Sequence, residues 1–146
     1  MSDEPANRVA KAGGKPQSYR DLLVWQKSIA LAKAIYKLTA EFPSEEKFGL
    51  VSQMRRAAVS VPSNIAEGQA RNTTGEFVQF ISHAEGSLAE LDTQLILAIE
   101  LNFLTTEKVK PCADSINELR RMLNGLRRVV SGPKPPTRHS SLITQH

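Results

Sequence analysis

Gln53-Met54-Arg55-Arg56-Ala57-Ala58-Val59-Ser60-Val61-Pro62-Ser63-Asn64-Ile65-Ala66-Glu67-Gly68-Gln69-Ala70-Arg71 reads as a helix that breaks the rules of its own conformation. Leu50 or Val51, Met54, Ala58, Val61 and Ile65 recur by threes and fours, the spacing of one apolar helix face. Pro62 lies inside that stripe, where it has no N–H for the carbonyl of Ala58 and its ring crowds that carbonyl, so a kink or brief break is predicted. Ser60, Ser63 and Asn64 are short polar groups able to satisfy the freed backbone. Gly68 then closes the element or lets a neighbour approach closely.

Upstream, Leu22, Trp25, Ile29, Ala32, Ile35 or Tyr36 and Leu38 outline a first helix. It begins near Arg20 or Asp21, with Asp21 as cap, and ends before Phe42-Pro43 because the residue preceding a proline avoids the helical region. Ser44-Glu45-Glu46-Lys47 offers a hydroxyl cap and first-turn acids for the second helix.

Downstream, Asn72-Thr73-Thr74-Gly75-Glu76 is a turn and cap, and Phe77, Phe80 or Ile81, Ala84, Leu88, Leu91, Leu95 and Ala98 carry a third helix to Leu101. Gly86 in its middle costs about 1 kcal/mol against alanine, and a close crossing against Ala57 and Ala58 is predicted there. After a corner at Asn102-Phe103 and a cap at Thr105-Thr106-Glu107, Val109, Cys112, Ile116, Leu119, Leu123, Leu126 and Val130 form a bundle seam. Gly132-Pro133 stops it.

Short turns force antiparallel neighbours. The fold predicted is therefore all-α, an antiparallel up-down-up-down four-helix bundle over residues 19–131. It is flanked by a disordered polar arm over 1–18 and a flexible basic tail over 132–146.

The chain has 146 residues, enough for one domain with a core of Leu, Ile, Val and Ala. No signal-like run opens it, no apolar stretch is long enough to span a bilayer, and a single cysteine, Cys112, agrees with a reducing compartment; a cytoplasmic protein is expected. The net charge of +4 is unevenly placed. Residues 1–106 hold 11 basic and 12 acidic side chains, whereas 107–146 hold 8 and 3. That excess suits a polyanionic partner, and equally suits solubility.

Two clusters are candidate sites. On the fourth helix Arg120, Arg121, Arg127 and Arg128 fall on one flank, each pair seven apart or about 10 Å along the axis. With Lys134 and Arg138 beyond, they can track a phosphate backbone, or they form a solvated face paired to neighbouring acids. No aromatic interleaves them, so base stacking there is not expected. The second cluster is Arg55, Arg56, Ser60, Asn64, Glu67, Arg71, Glu85 and Glu90, read as a polar network between the second and third helices that fixes register and subunit contacts, or whose arginines face a ligand or nucleic acid.

No catalytic residue is assigned. His83 and Cys112 stand alone, His139 and His146 lie in the tail, and neither a metal-ligand spacing nor a glycine-rich phosphate loop appears, so no metal and no cofactor are expected.

Tyr19-Arg20-Asp21-Leu22-Leu23-Val24-Trp25-Gln26-Lys27, Gln53-Met54-Arg55-Arg56-Ala57, Ser60-Val61-Pro62-Ser63-Asn64-Ile65-Ala66-Glu67-Gly68 and Gly86-Ser87-Leu88-Ala89-Glu90-Leu91 together resemble the 23S rRNA intervening-sequence protein family. That family includes accessory proteins of diversity-generating retroelements, and the resemblance covers about residues 19–130. It implies a four-helix bundle, a ring-like homopentamer in several members, binding of RNA or DNA, and partnership with a reverse transcriptase in the retroelement branch. The expected function is a non-enzymatic, self-assembling accessory protein that binds nucleic acid electrostatically. The alternative is a protein–protein scaffold that does not touch nucleic acid.

Overall fold

The computed structural model describes residues 18–132. The predicted arm and tail fall outside the described residues, Ser18 and Gly132 excepted. The described residues form four α-helices, α1 (Leu23–Thr39), α2 (Leu50–Gln69), α3 (Thr74–Glu100) and α4 (Thr106–Ser131), and no strand. Each packs on its two neighbours in the order α1, α2, α3, α4 and back to α1, and the α2–α3 contact is the most extensive. Phe42, after α1, meets Phe103, before α4, with ring centroids 5.4 Å apart. Both of these loops therefore close the same end of the bundle, as alternating up and down helices require.

Most of the apolar periodicity is realised. Met54, Ala58, Val61 and Ile65 of α2, Ile81, Ala84, Leu88, Leu91, Leu95 and Ala98 of α3, and Val109, Cys112, Ile116, Leu119 and Leu123 of α4 are all buried. The α1 register differs. Val24, Ser28, Leu31, Ala32, Ile35 and Thr39 face the core, while Ile29 and Tyr36 are 42% and 44% exposed. Apolar side chains surround α1 so fully that spacing does not select a face. The hydroxyls of Ser28 and Thr39 can be buried because they donate to the carbonyls of Trp25 and Ile35, each at 2.8 Å.

Helix starts also move. A 3-10 turn, Tyr19–Asp21, precedes α1, and Ser18 rather than Asp21 caps it, its Oγ accepting from the N–H of Arg20 at 3.0 Å. Ser44–Glu46 forms a second 3-10 turn, and the carboxylate of Glu46 accepts from the N–H of Leu50 at 3.1 Å, the capping role expected of Ser44. Thr73 and Thr105 cap α3 and α4 through the N–H groups of Glu76 and Lys108. Gly132 ends α4 with φ 75°, a conformation that glycine adopts without a Cβ clash.

α2 runs unbroken through the buried Pro62. The neighbouring hydroxyl and amide serve other carbonyls than that of Ala58: Ser60 donates to Ala57 and Asn64 to Ser60, each at 2.8 Å. The predicted close crossing at Gly86 is not found, since a Cβ there would meet nothing within 4 Å. Ala84 and Leu88 point inward and leave Gly86 exposed between them. The close approach is at Gly68, where a Cβ would lie 2.8 Å from Cδ1 of Phe77 and 2.9 Å from Cβ of Phe80.

Candidate nucleic-acid interface

The α4 arginines separate into two kinds. Arg127 turns toward α3, where its Nη2 donates to the carboxylate of Glu85 and to Oγ of Ser82, the latter at 3.1 Å. Both partners of the ion pair are largely covered, with side chains 29% and 28% exposed. This guanidinium ties two helices together. Arg121 and Arg128 are exposed, seven residues apart on the outer ridge with exposed Asn117 and Asn124 between and beside them. Arg120 is half-buried beside that ridge. Among the described residues none of Arg120, Arg121 and Arg128 has an acidic partner within 4.0 Å. The nearby acids are engaged elsewhere, Glu118 with Lys27 at 3.3 Å and Asp114 with Lys110 at 3.1 Å. Lys134 and Arg138 lie outside the described residues.

The polar cluster of α2 and α3 does not form one network. Arg55 turns to α1, donating from Nε to Oγ1 of Thr39 at 3.0 Å and from Nη2 to the carbonyl of Tyr36 at 3.2 Å, with its guanidinium 4.5 Å from the Tyr36 ring centre. Arg71, just past the end of α2, covers the Phe80 ring at 4.8 Å and sits 4.0 Å from Glu67 in the last turn of α2. Glu90 accepts from Gln94, one turn on, at 3.3 Å, and Glu85 belongs to Arg127. The link between α2 and α3 that does form is a hydroxyl pair, Ser60 with Ser87. Arg56 is exposed and has no ion-pair partner among the described residues.

Arg56 instead borders a groove of about 670 Å³ along the outer face of α2, which also draws on Tyr36, Lys47, Phe48, Arg55 and Val59. Ser52, Ser60 and Ser63 supply hydroxyls, and no acidic residue lines it. Phe48 and Lys47 were not recognised as site residues from sequence. Their signal was a bare aromatic between Lys47 and Gly49 in a turn, with no helical period to bury it.

Burial pushes the Cys112 thiol up, so it is protonated at neutral pH. No group of three or more His, Cys, Asp or Glu among the described residues is arranged to hold a metal ion. No described helix is long and apolar enough to cross a membrane.

Comparison with solved structures gives a similar fold in a protein of unknown function from the S23 ribosomal protein family of Bacteroides thetaiotaomicron VPI-5482, with a TM-score of 0.65 and 24% identity over 73% of this chain and 99% of that one. At that identity the likeness speaks for the fold alone. No curated protein matches the chain. The profile of the 23S rRNA-intervening sequence proteins matches residues 20–125, nearly the whole of the bundle. On that match, the chain belongs to the 23S rRNA-intervening sequence protein family.

Proposed function

We propose that the protein is a non-enzymatic nucleic-acid accessory protein that holds the phosphate backbone of RNA or DNA on the outer ridge of α4 and acts in the cytoplasm. The observation that carries this reading is the placement of Arg121 and Arg128, both exposed, in line along one face, and without an acidic partner among the described residues. Guanidinium groups so placed bind phosphate by releasing condensed counterions, which gives affinity with little sequence preference. Arg120 flanks the ridge, and Lys134 and Arg138 extend the same charge along the sequence. Arg127 contributes by bracing α4 against α3.

Self-assembly belongs to this reading, with a ring-like pentamer as the form suggested by the resemblance. A second reading is supported by the end of α3, where exposed Ile96 and Leu97, with Leu101 just beyond the helix, lie among Glu90, Asp92 and Glu100. Such a surface suits a protein contact, and a reverse transcriptase is the partner suggested by the retroelement branch. Salt separates the two. Binding of a labelled RNA hairpin and a labelled DNA duplex to the full chain should weaken steeply as salt rises, whereas a mainly apolar protein contact changes little. Failure of both polymers to bind at low salt would leave the scaffold reading in its place.

A further inference from the structure

We infer that the groove between the end of α1 and the outer face of α2 binds single-stranded nucleic acid, stacking unpaired bases on Phe48 and on the Arg55–Tyr36 pair while Lys47 and Arg56 hold the phosphates. The inference rests on the nucleic-acid reading above and adds both a second surface and the class of strand that it takes.

Phe48 is 89% exposed, an unusual state for so large an apolar side chain and one that leaves the ring accessible to a planar partner. Lys47 stands beside it, Nζ 5.6 Å from the ring centre. Across the groove, the Tyr36 ring already carries the Arg55 guanidinium at 4.5 Å, and Arg55 is held there by Thr39 and the carbonyl of Tyr36. A flat cation fixed against an aromatic ring is a stacking surface whose ordering cost is met before a ligand arrives. Arg56 is exposed and has no ion-pair partner among the described residues.

Charge selects the occupant. Three cations and no acid line the groove, and its apolar groups are interrupted by Ser52, Ser60 and Ser63. The core of a protein–protein contact tends to the opposite pattern, contiguous apolar surface with lysine depleted. Cations interleaved with open aromatic rings are what a single strand uses, because every base offers a face to stack and every phosphate a charge. Paired bases are already stacked within a duplex and are not free to enter. On the neighbouring helix, α3 carries five acids and no lysine or arginine over Thr74–Glu100, which disfavours extension of an anionic strand across α3.

The test uses the full chain and three labelled probes: oligouridylate, an abasic ribose-phosphate oligomer of the same length, and an RNA duplex. Oligouridylate is expected to bind more tightly than the abasic oligomer. Phe48→Ala should lower oligouridylate affinity by about 5- to 150-fold, the range for loss of one stacked base, while abasic and duplex affinities stay unchanged. Arg56→Gln should weaken both single-stranded probes and lower the salt slope by about one. Phe48 is exposed enough that its loss should leave the thermal melt unchanged. Equal affinity for oligouridylate and the abasic oligomer overturns the inference, as does a Phe48→Ala variant that binds oligouridylate like the parent. A fall in sedimenting mass for that variant, with its oligouridylate affinity intact, assigns the groove to a second copy of the chain instead. If the parent binds no probe, the α4 reading fails along with this one; if only α4 substitutions weaken binding, the groove alone is refuted.

Discussion

Arg127 of α4 and Glu85 of α3 form a largely covered ion pair, 42 residues apart in sequence, in which the guanidinium also reaches Ser82. The pair takes one of four arginines out of the α4 flank and makes it a brace. A charge so covered is costly to leave without its partner.

Arg127→Ala should therefore lower stability by about 1 to 2 kcal/mol, the scale of a hydrogen bond to a charged group at a partly covered site. Nucleic-acid affinity should change much less than for Arg121 or Arg128. Urea denaturation of Arg127→Ala, Glu85→Gln and the double variant should show coupling between the two sites. Strict additivity would contradict the brace.

The two glycines of the central helices should respond in opposite directions. Gly68→Ala places a methyl group against Phe77 and against Cβ of Phe80, which cannot swing away, and should cost about 1 to 3 kcal/mol. Gly86→Ala fills open space on an exposed helical position and should stabilise by up to about 1 kcal/mol. Thermal melts of the two variants check the contrast; equal shifts would contradict it.

Cys112 predicts a pH dependence. Burial raises its folded-state value above the unfolded one, so above an unfolded thiol value of about 8.5 the unfolded chain loses the proton first. The folded state then binds more protons than the unfolded, and stability falls as pH rises through that window. Denaturation at pH 8 and pH 10, compared with Cys112→Ala, should show a steeper loss in the parent. Parallel losses would mean that the thiol does not contribute.

How much of this was legible in the sequence depended on whether a residue's partner lay on its own helix. The seam from Val109 to Leu123 reads directly because polar residues fill most of the rest of α4 and leave one face to be buried. α1 is apolar on most sides, so Ile29 and Tyr36 fit the spacing as well as Leu31 and Ile35 do, and contact with α2 and α4 decides. Helical spacing places Gly86 on a ridge but does not say whether a neighbour covers that ridge. Gly68, by contrast, was marked for close approach, and Phe77 and Phe80 supply it.

The candidate sites follow the same division. That Arg120, Arg121, Arg127 and Arg128 share a flank is a property of one helix, whereas the choice of Glu85 by Arg127 depends on how α3 rotates against α4. Arg55 was expected to face α3, yet Thr39 and Tyr36 of α1 hold it. The groove combines Tyr36, Phe48 and Arg56 from α1, a turn and α2, and no local pattern joins them.

The most direct test of the central claim is the salt dependence of RNA-duplex binding by the full chain against its Arg121→Gln/Arg128→Gln variant. If the α4 ridge holds phosphate, the slope of log affinity against log salt should fall by about two, roughly one for each guanidinium removed, with affinity lowered for every sequence tried. A variant with the parent's slope and affinity would contradict the claim.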